Sequence, residues 1–252
     1  MHDLLSATLV LTLTLSGDSQ LPPGHATDSV VAQSMQALLN EPEGWRLHAE
    51  KGRVRVFQKK IEPLDLTAYM GRMVLSPEAT PDALFGALAD VDRHPEFNNI
   101  LVDSRRLSWD GNMRDLCQIM RGPRFVPIAK RFWFSRSIES RNVDGTPGHH
   151  RSAWLRLPPT AYPEIRAEFA ERYRGAVEVP LSFGSWESRP LSEGVFELTF
   201  RTVSDPGGSV PNFLANWATR GALPENMLKL EAAAIERARG LAENEQGGGD
   251  PW

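Results

Sequence analysis

Ser204-Asp205-Pro206-Gly207-Gly208-Ser209-Val210-Pro211-Asn212-Phe213-Leu214-Ala215-Asn216-Trp217 is the stretch on which the reading of this chain turns. Upstream of it, Val195 to Val203 alternates, with Phe196, Leu198 and Phe200 on one side and Glu197, Thr199 and Arg201 on the other. That is the two-residue period of a half-buried strand. Pro206 fixes its own φ and the two glycines supply backbone freedom, so the strand is expected to end in a sharp turn. Ser209 has the chemistry of a helix cap, and Pro211 suits a first helical turn, where a missing N–H costs nothing. A long helix packing back on the sheet must follow. On it Phe213, Leu214, Trp217, Gly221 and Leu228 fall at helical spacing, with Leu223, Met227, Leu230 and Ala234 extending the apolar face. Gly221 and Pro224 interrupt that stripe midway, which is compatible with a helix arching over a cavity.

Working outward, the rest of the chain divides into strands and a few helices. Asp28 to Asn40 carries Val30, Val31, Met35, Leu38 and Leu39 at helical spacing. Trp45–Ala49 and Val54–Lys60 flank Lys51-Gly52-Arg53 as a hairpin, and Leu66–Leu75 reads as a third strand. Thr80-Pro81-Asp82 starts a short helix. Strands are then expected at Ser104–Trp109, Arg114–Met120, Arg131–Arg141, His150–Leu157, Ala176–Glu187 and Val195–Val203, with a short helix at Pro163–Tyr173. Helices segregated from antiparallel strands argue an α+β fold rather than an alternating one. One domain over 27–240 is expected, followed by a disordered tail over 241–252.

Composition narrows the function classes. A net charge of −4, with Lys and Arg dispersed, gives no electrostatic case for binding nucleic acid. The single cysteine, Cys117, excludes an intrachain disulfide and any CxxC zinc site, and it reads as a packed core residue. No GxSxG, GxGxxG, P-loop or HExxH pattern is present. His149 and His150 are adjacent on a strand and point to opposite faces, so they do not grip one metal. Asp90 and Asp92 read as caps or solvated charges. No catalytic residue, metal site or cofactor is expected, and the protein is expected not to be an enzyme. Residues 1–26 have a short apolar core, Leu4 to Leu15, and end in Gly24-His25-Ala26. This fits an export leader cleaved after Ala26. Met1-His2-Asp3 lacks the usual basic residue and fits instead a disordered extension. The first reading implies a periplasmic or secreted protein, the second a cytoplasmic one.

The stretch from Trp45 to about Arg237 resembles a START domain, the steroidogenic acute regulatory protein-related lipid transfer module, in a single-domain form of bacterial type. Two segments carry the resemblance: Gly44-Trp45-Arg46-Leu47 with Gly52-Arg53-Val54-Arg55-Val56-Phe57, and Asp205 to Asn216. It implies a helix-grip fold, a curved antiparallel sheet wrapped around the C-terminal helix with a hydrophobic tunnel between them. It also implies a monomer that carries one sterol, phospholipid or similar molecule and touches membranes transiently. The residues expected to bind the ligand are Arg131, Trp133, Phe213, Trp217 and Met227. At Lys130-Arg131-Phe132-Trp133 the Asp that often follows the arginine in this family is Phe132. A buried Arg131 would then need another partner, Asp115 or a ligand phosphate. Alternation puts Arg131 and Trp133 on one face of their strand and Phe132 and Phe134 on the other, so only one pair lines a tunnel. Two alternatives share the architecture: an aromatase or cyclase using Arg131, Asp115 or Tyr69 to position substrate, and a ligand-sensing interaction domain.

Overall fold

In the computed structural model, residues 28–40, 43–123, 128–207 and 218–247 are described. The expected leader, the helix start at Ser209 and Pro211, and the ligand candidates Phe213 and Trp217 lie outside the described residues.

The strands run β1 (Arg46–Lys51), β2 (Val54–Ile61), β3 (Leu66–Val74), β4 (Leu101–Asp110), β5 (Met113–Met120), β6 (Arg131–Ser140), β7 (His150–Arg156), β8 (Val177–Glu178), β9 (Leu181–Ser192) and β10 (Val195–Asp205). They form one sheet in the order β1-β2-β3-β10-β9-β7-β6-β5-β4, antiparallel throughout except that β8 pairs parallel with β6. Among the described residues four α-helices precede the last: α1 (Asp28–Asn40), α2 (Pro81–Ala89), α3 (His94–Phe97) and α4 (Pro163–Arg172). The C-terminal helix α5 (Leu223–Gly247) closes the chain. This is the α+β helix-grip arrangement that the sequence predicts.

Local chemistry accounts for the boundaries. Thr80 caps α2 by accepting a hydrogen bond from the Ala83 N–H, with Pro81 in the first turn. The strand expected over Ala176–Glu187 is two strands, because Pro180 has no N–H to donate to a ladder. Pro224 acts at the start of α5 rather than within it. It lies two residues beyond a π-helical turn, Ala218–Ala222, and takes a first-turn position where no N–H is needed. The helix then continues through Leu241-Ala242-Glu243, good helix formers, and on to Gly247.

Packing falls into three clusters. On the inner face α5 and α2 fill one half of the sheet: Leu223, Met227, Leu230 and Ala234 meet Val54, Val56, Met73, Leu198, Leu84 and Phe85. Gly71 makes this possible, because a Cβ there would stand 2.4 Å from the Met227 Sδ and 2.6 Å from Leu223. Glu231 pins the helix at mid-length: it accepts a 2.7 Å bond from the Ser76 N–H and a two-pronged pairing from Arg53. On the outer face α1 covers Ile61, Ala68, Phe183 and Val203. Helix α4 places Phe169 against Cys117, Ile119, Phe132 and Phe134.

Candidate functional site

The opposite faces of β6 have different fates. Phe132 and Phe134 point toward α4 and are buried against Phe169. Arg131, Trp133, Ser135 and Ser137 point the other way and line an internal cavity of about 460 Å³. Strand β5 follows the same parity: Arg114, Leu116, Gln118 and Met120 face the cavity, while Asp115, Cys117 and Ile119 do not. The cavity lies between the sheet and the start of α5, bordered there by Ala222, Leu223, Asn226 and Leu230.

Its middle is aromatic. Trp133, Trp154, Trp186, Phe200 and Tyr69 contribute to the wall. Trp154 stacks on Phe200 at 5.6 Å between ring centroids, and Trp186 meets the same ring at 4.4 Å. Gly184 leaves room for this layer, since a Cβ there would stand 2.5 Å from the Trp154 ring.

Polar groups gather at particular points of the lining. The Gln118 amide donates to His94 Nδ1 at 2.8 Å and to Ser104 Oγ at 2.9 Å, and Ser104 in turn donates to the Val91 carbonyl. The other His94 nitrogen, Nε2, lies 3.0 Å from the Leu88 carbonyl. A carbonyl only accepts, so Nε2 carries the proton and the ring is neutral with both nitrogens engaged. Burial drives the His94 pKa down to about 4. Arg114 is buried and donates through Nη2 to Glu139, whose second oxygen accepts from Arg141 at 2.7 Å. The Arg114 Nε has no partner among the described residues. Ser137 and Ser152 share a 2.9 Å bond.

Arg131 is also buried, and its neighbours are backbone. Its Nε donates to the Pro206 carbonyl at 3.1 Å, Nη2 to Gly207 at 3.3 Å, and Nη1 to Ala129. The guanidinium therefore ties the start of β6 to the turn that ends β10. Asp115 does not serve it: that carboxylate faces away, paired with Arg136 at 2.7 Å and accepting from Tyr162 at 2.8 Å. Burial pushes the Asp115 pKa up, but the bonds from Arg136 and Tyr162 outweigh it and hold the group below the usual range.

Of the expected ligand contacts, Arg131 and Trp133 line the cavity. Met227 does not; it is fully buried over Gly71 in the solid core, because the stripe on α5 is wider than the cavity it borders. Tyr69 lines the cavity and Asp115 is outside it. The sequence reading missed Arg114, Gln118, His94, Trp154 and Trp186. Alternation alone offered a signal for the first two, which share a face of β5 with Met120, the register partner of Arg131. Among the described residues no group of acidic, histidine or cysteine side chains could hold a metal ion.

No family model matches the chain. An uncharacterised protein of Pseudomonas aeruginosa is 28% identical over 197 residues, covering 77% of this chain and 89% of that protein. The crystal structure of a STAR-related lipid transfer protein from Xanthomonas axonopodis superposes with a TM-score of 0.62 at 19% identity, covering 76% of this chain and 99% of that one. Human STARD10 gives a TM-score of 0.65 at 16% identity, covering 89% of this chain and 84% of that one. The protein has the START-domain fold.

Proposed function

We propose that this protein binds one lipid or similarly hydrophobic molecule in its internal cavity and carries it through water without changing it chemically. The observation that carries this reading is the cavity of about 460 Å³ with its layer of three tryptophans, set between the sheet and the start of α5. Apolar surface costs roughly 25 cal/mol per Å² to leave in water, so a lined cavity of this kind is a favourable container for a water-insoluble molecule. The fold neighbours are in keeping with it, the Xanthomonas protein being named a lipid transfer protein.

A carrier, rather than an aromatase or cyclase, fits the state of the titratable groups. His94 is neutral with both nitrogens committed, Arg114 is held by Glu139, and Cys117 faces α4 with its thiol pushed up to about 12 by burial. None of these is poised as a base or nucleophile near neutral pH. The π-helical turn Ala218–Ala222 and Leu223 border the cavity, while Glu231 anchors the helix beyond them, so opening would involve the N-terminal side of α5.

The test is native mass spectrometry of the protein as purified and after incubation with phosphatidylcholine–sterol vesicles. One bound molecule per chain is expected, accompanied by a change in tryptophan fluorescence. A protein that carries nothing and takes up nothing from the vesicles would sink the proposal.

A further inference from the structure

The cavity holds two buried arginines whose electrostatic situations differ. In β5 and β6, Arg114 is paired in register with Ser137 and Met120 with Arg131. The two arginines are thus six ladder positions apart, about 20 Å at roughly 3.3 Å per residue. Between them stand Trp133, Leu116 and Ser135, while Trp154 is level with Arg114 and Ser137 and Trp186 lies two positions beyond.

At the Arg114 end the positive charge is already balanced by Glu139. Among the donors left is the buried Nε, without a partner among the described residues, beside the Ser137–Ser152 hydroxyl pair. A donor whose charge is neutralised suits a neutral acceptor oxygen, a hydroxyl or a carbonyl. An unpaired buried N–H costs roughly 1–3 kcal/mol, so a ligand oxygen placed there regains that cost. At the Arg131 end no carboxylate among the described residues pairs with the guanidinium, which is 6% exposed and bonded only to three carbonyls. Of its five N–H groups, two remain. A buried cation solvated by dipoles alone has a standing demand for an anion.

We propose that the ligand is two-ended: an elongated apolar molecule with a neutral acceptor oxygen at the Arg114 end and a carboxylate at the Arg131 end. This rests on the carrier reading and specifies what is carried. The polar ends sit somewhat closer than the two backbones, because both arginine side chains reach inward. That spacing matches long-chain acids oxygenated near their far end. A diacyl phospholipid, with its polarity at one end and two chains at the other, leaves one of the arginines facing hydrocarbon.

The experiment measures binding to the full chain of four probes of equal length: hexadecanoic acid, its methyl ester, hexadecan-1-ol and 16-hydroxyhexadecanoic acid. Tryptophan fluorescence is the readout, since three tryptophans line the cavity. The hydroxy acid is expected to bind about tenfold more tightly than the plain acid, and the plain acid about tenfold more tightly than its ester, one charge-assisted hydrogen bond each. Arg114→Lys keeps a cation for Glu139 but has no Nε; it should erase the preference for the hydroxy acid and leave the plain acid unchanged. Arg131→Met should erase the preference of acid over ester. Equal affinities across the four probes in the wild type, a comparison that needs no variant, would overturn the two-ended ligand while leaving the carrier reading intact. Failure of every probe to bind would count against both.

Discussion

The two faces of this sheet bury charge in opposite ways. On the outer face Glu187 is 2% exposed and receives Arg151 at 2.8 Å, Arg201 at 2.6 Å, Arg189 at 3.2 Å and His149 at 2.9 Å. Burial pushes the Glu187 pKa up, but Arg201, Arg151 and the His149 bond outweigh it and leave the carboxyl far below its usual range. Each guanidinium there reaches the one carboxylate, although the buried Arg151 Nε, like the Arg114 Nε, has no partner among the described residues. On the inner face charge is removed or left open: His94 is neutral, Arg114 is balanced by Glu139, and among the described residues Arg131 meets carbonyls and no carboxylate. A closed network is a structural device. An open one, lining a cavity, is arranged for something that comes and goes.

The sharpest way to break this contrast is Glu187→Ala. Removing one carboxylate leaves the partly buried Arg151 and Arg201 beside each other without the anion they share, and stripping one partner from a buried ion cluster costs about 3–5 kcal/mol. Urea denaturation should show a loss of that size, with ligand affinity of the folded fraction unaffected. A loss under 1 kcal/mol would mean the outer cluster is no more structural than a surface pair.

His94 tests the inner face through pH. Its folded pKa of about 4 lies below the unfolded value of 6.5, so the unfolded chain binds the extra proton between those values. The stability this ring contributes is complete above pH 6.5 and is lost as pH falls toward 4, on the order of 2 kcal/mol by pH 5. His94→Gln, which cannot titrate, should flatten the stability profile between pH 6.5 and 5. Parallel profiles for wild type and variant would mean that His94 is solvated and free to charge, and that the cavity wall at α3 is wet.

The sequence carried the fold further than it carried the site. Alternation at Phe196, Leu198 and Phe200 and the turn at Asp205-Pro206-Gly207 locate β10 and its end, and Thr80-Pro81 locates α2 to the residue. Those are local signals, written in spacing and backbone chemistry. Alternation likewise put Arg131 and Trp133 on one face of β6, yet it could not choose which face was hollow. That choice depends on Phe169 of α4, which arrives from more than thirty positions downstream to cover Phe132 and Phe134. Met227 shows the same limit from the other side. A stripe on α5 reads identically whether it meets empty space or Gly71, and the tertiary register, invisible in one chain, decides. His94 belongs to the site only because α3 meets β5 through Gln118.

Arg131→Met should have the smallest effect on stability of the three, and that smallness is informative. The variant gives up charged hydrogen bonds to Pro206, Gly207 and Ala129, which favours the wild type. It also removes a buried cation that no carboxylate among the described residues offsets, and replacing such a group with an apolar side chain of similar length is often neutral. The two contributions oppose each other, so the net change is expected within about 1 kcal/mol in denaturation. Glu187→Ala and Arg131→Met thus alter equally buried charges on the two faces of one sheet, with a several-fold difference in cost. If Arg131→Met proved as destabilising as Glu187→Ala, the arginine would be a fastener for the β10 turn. Its place in the lining would then be incidental to any ligand.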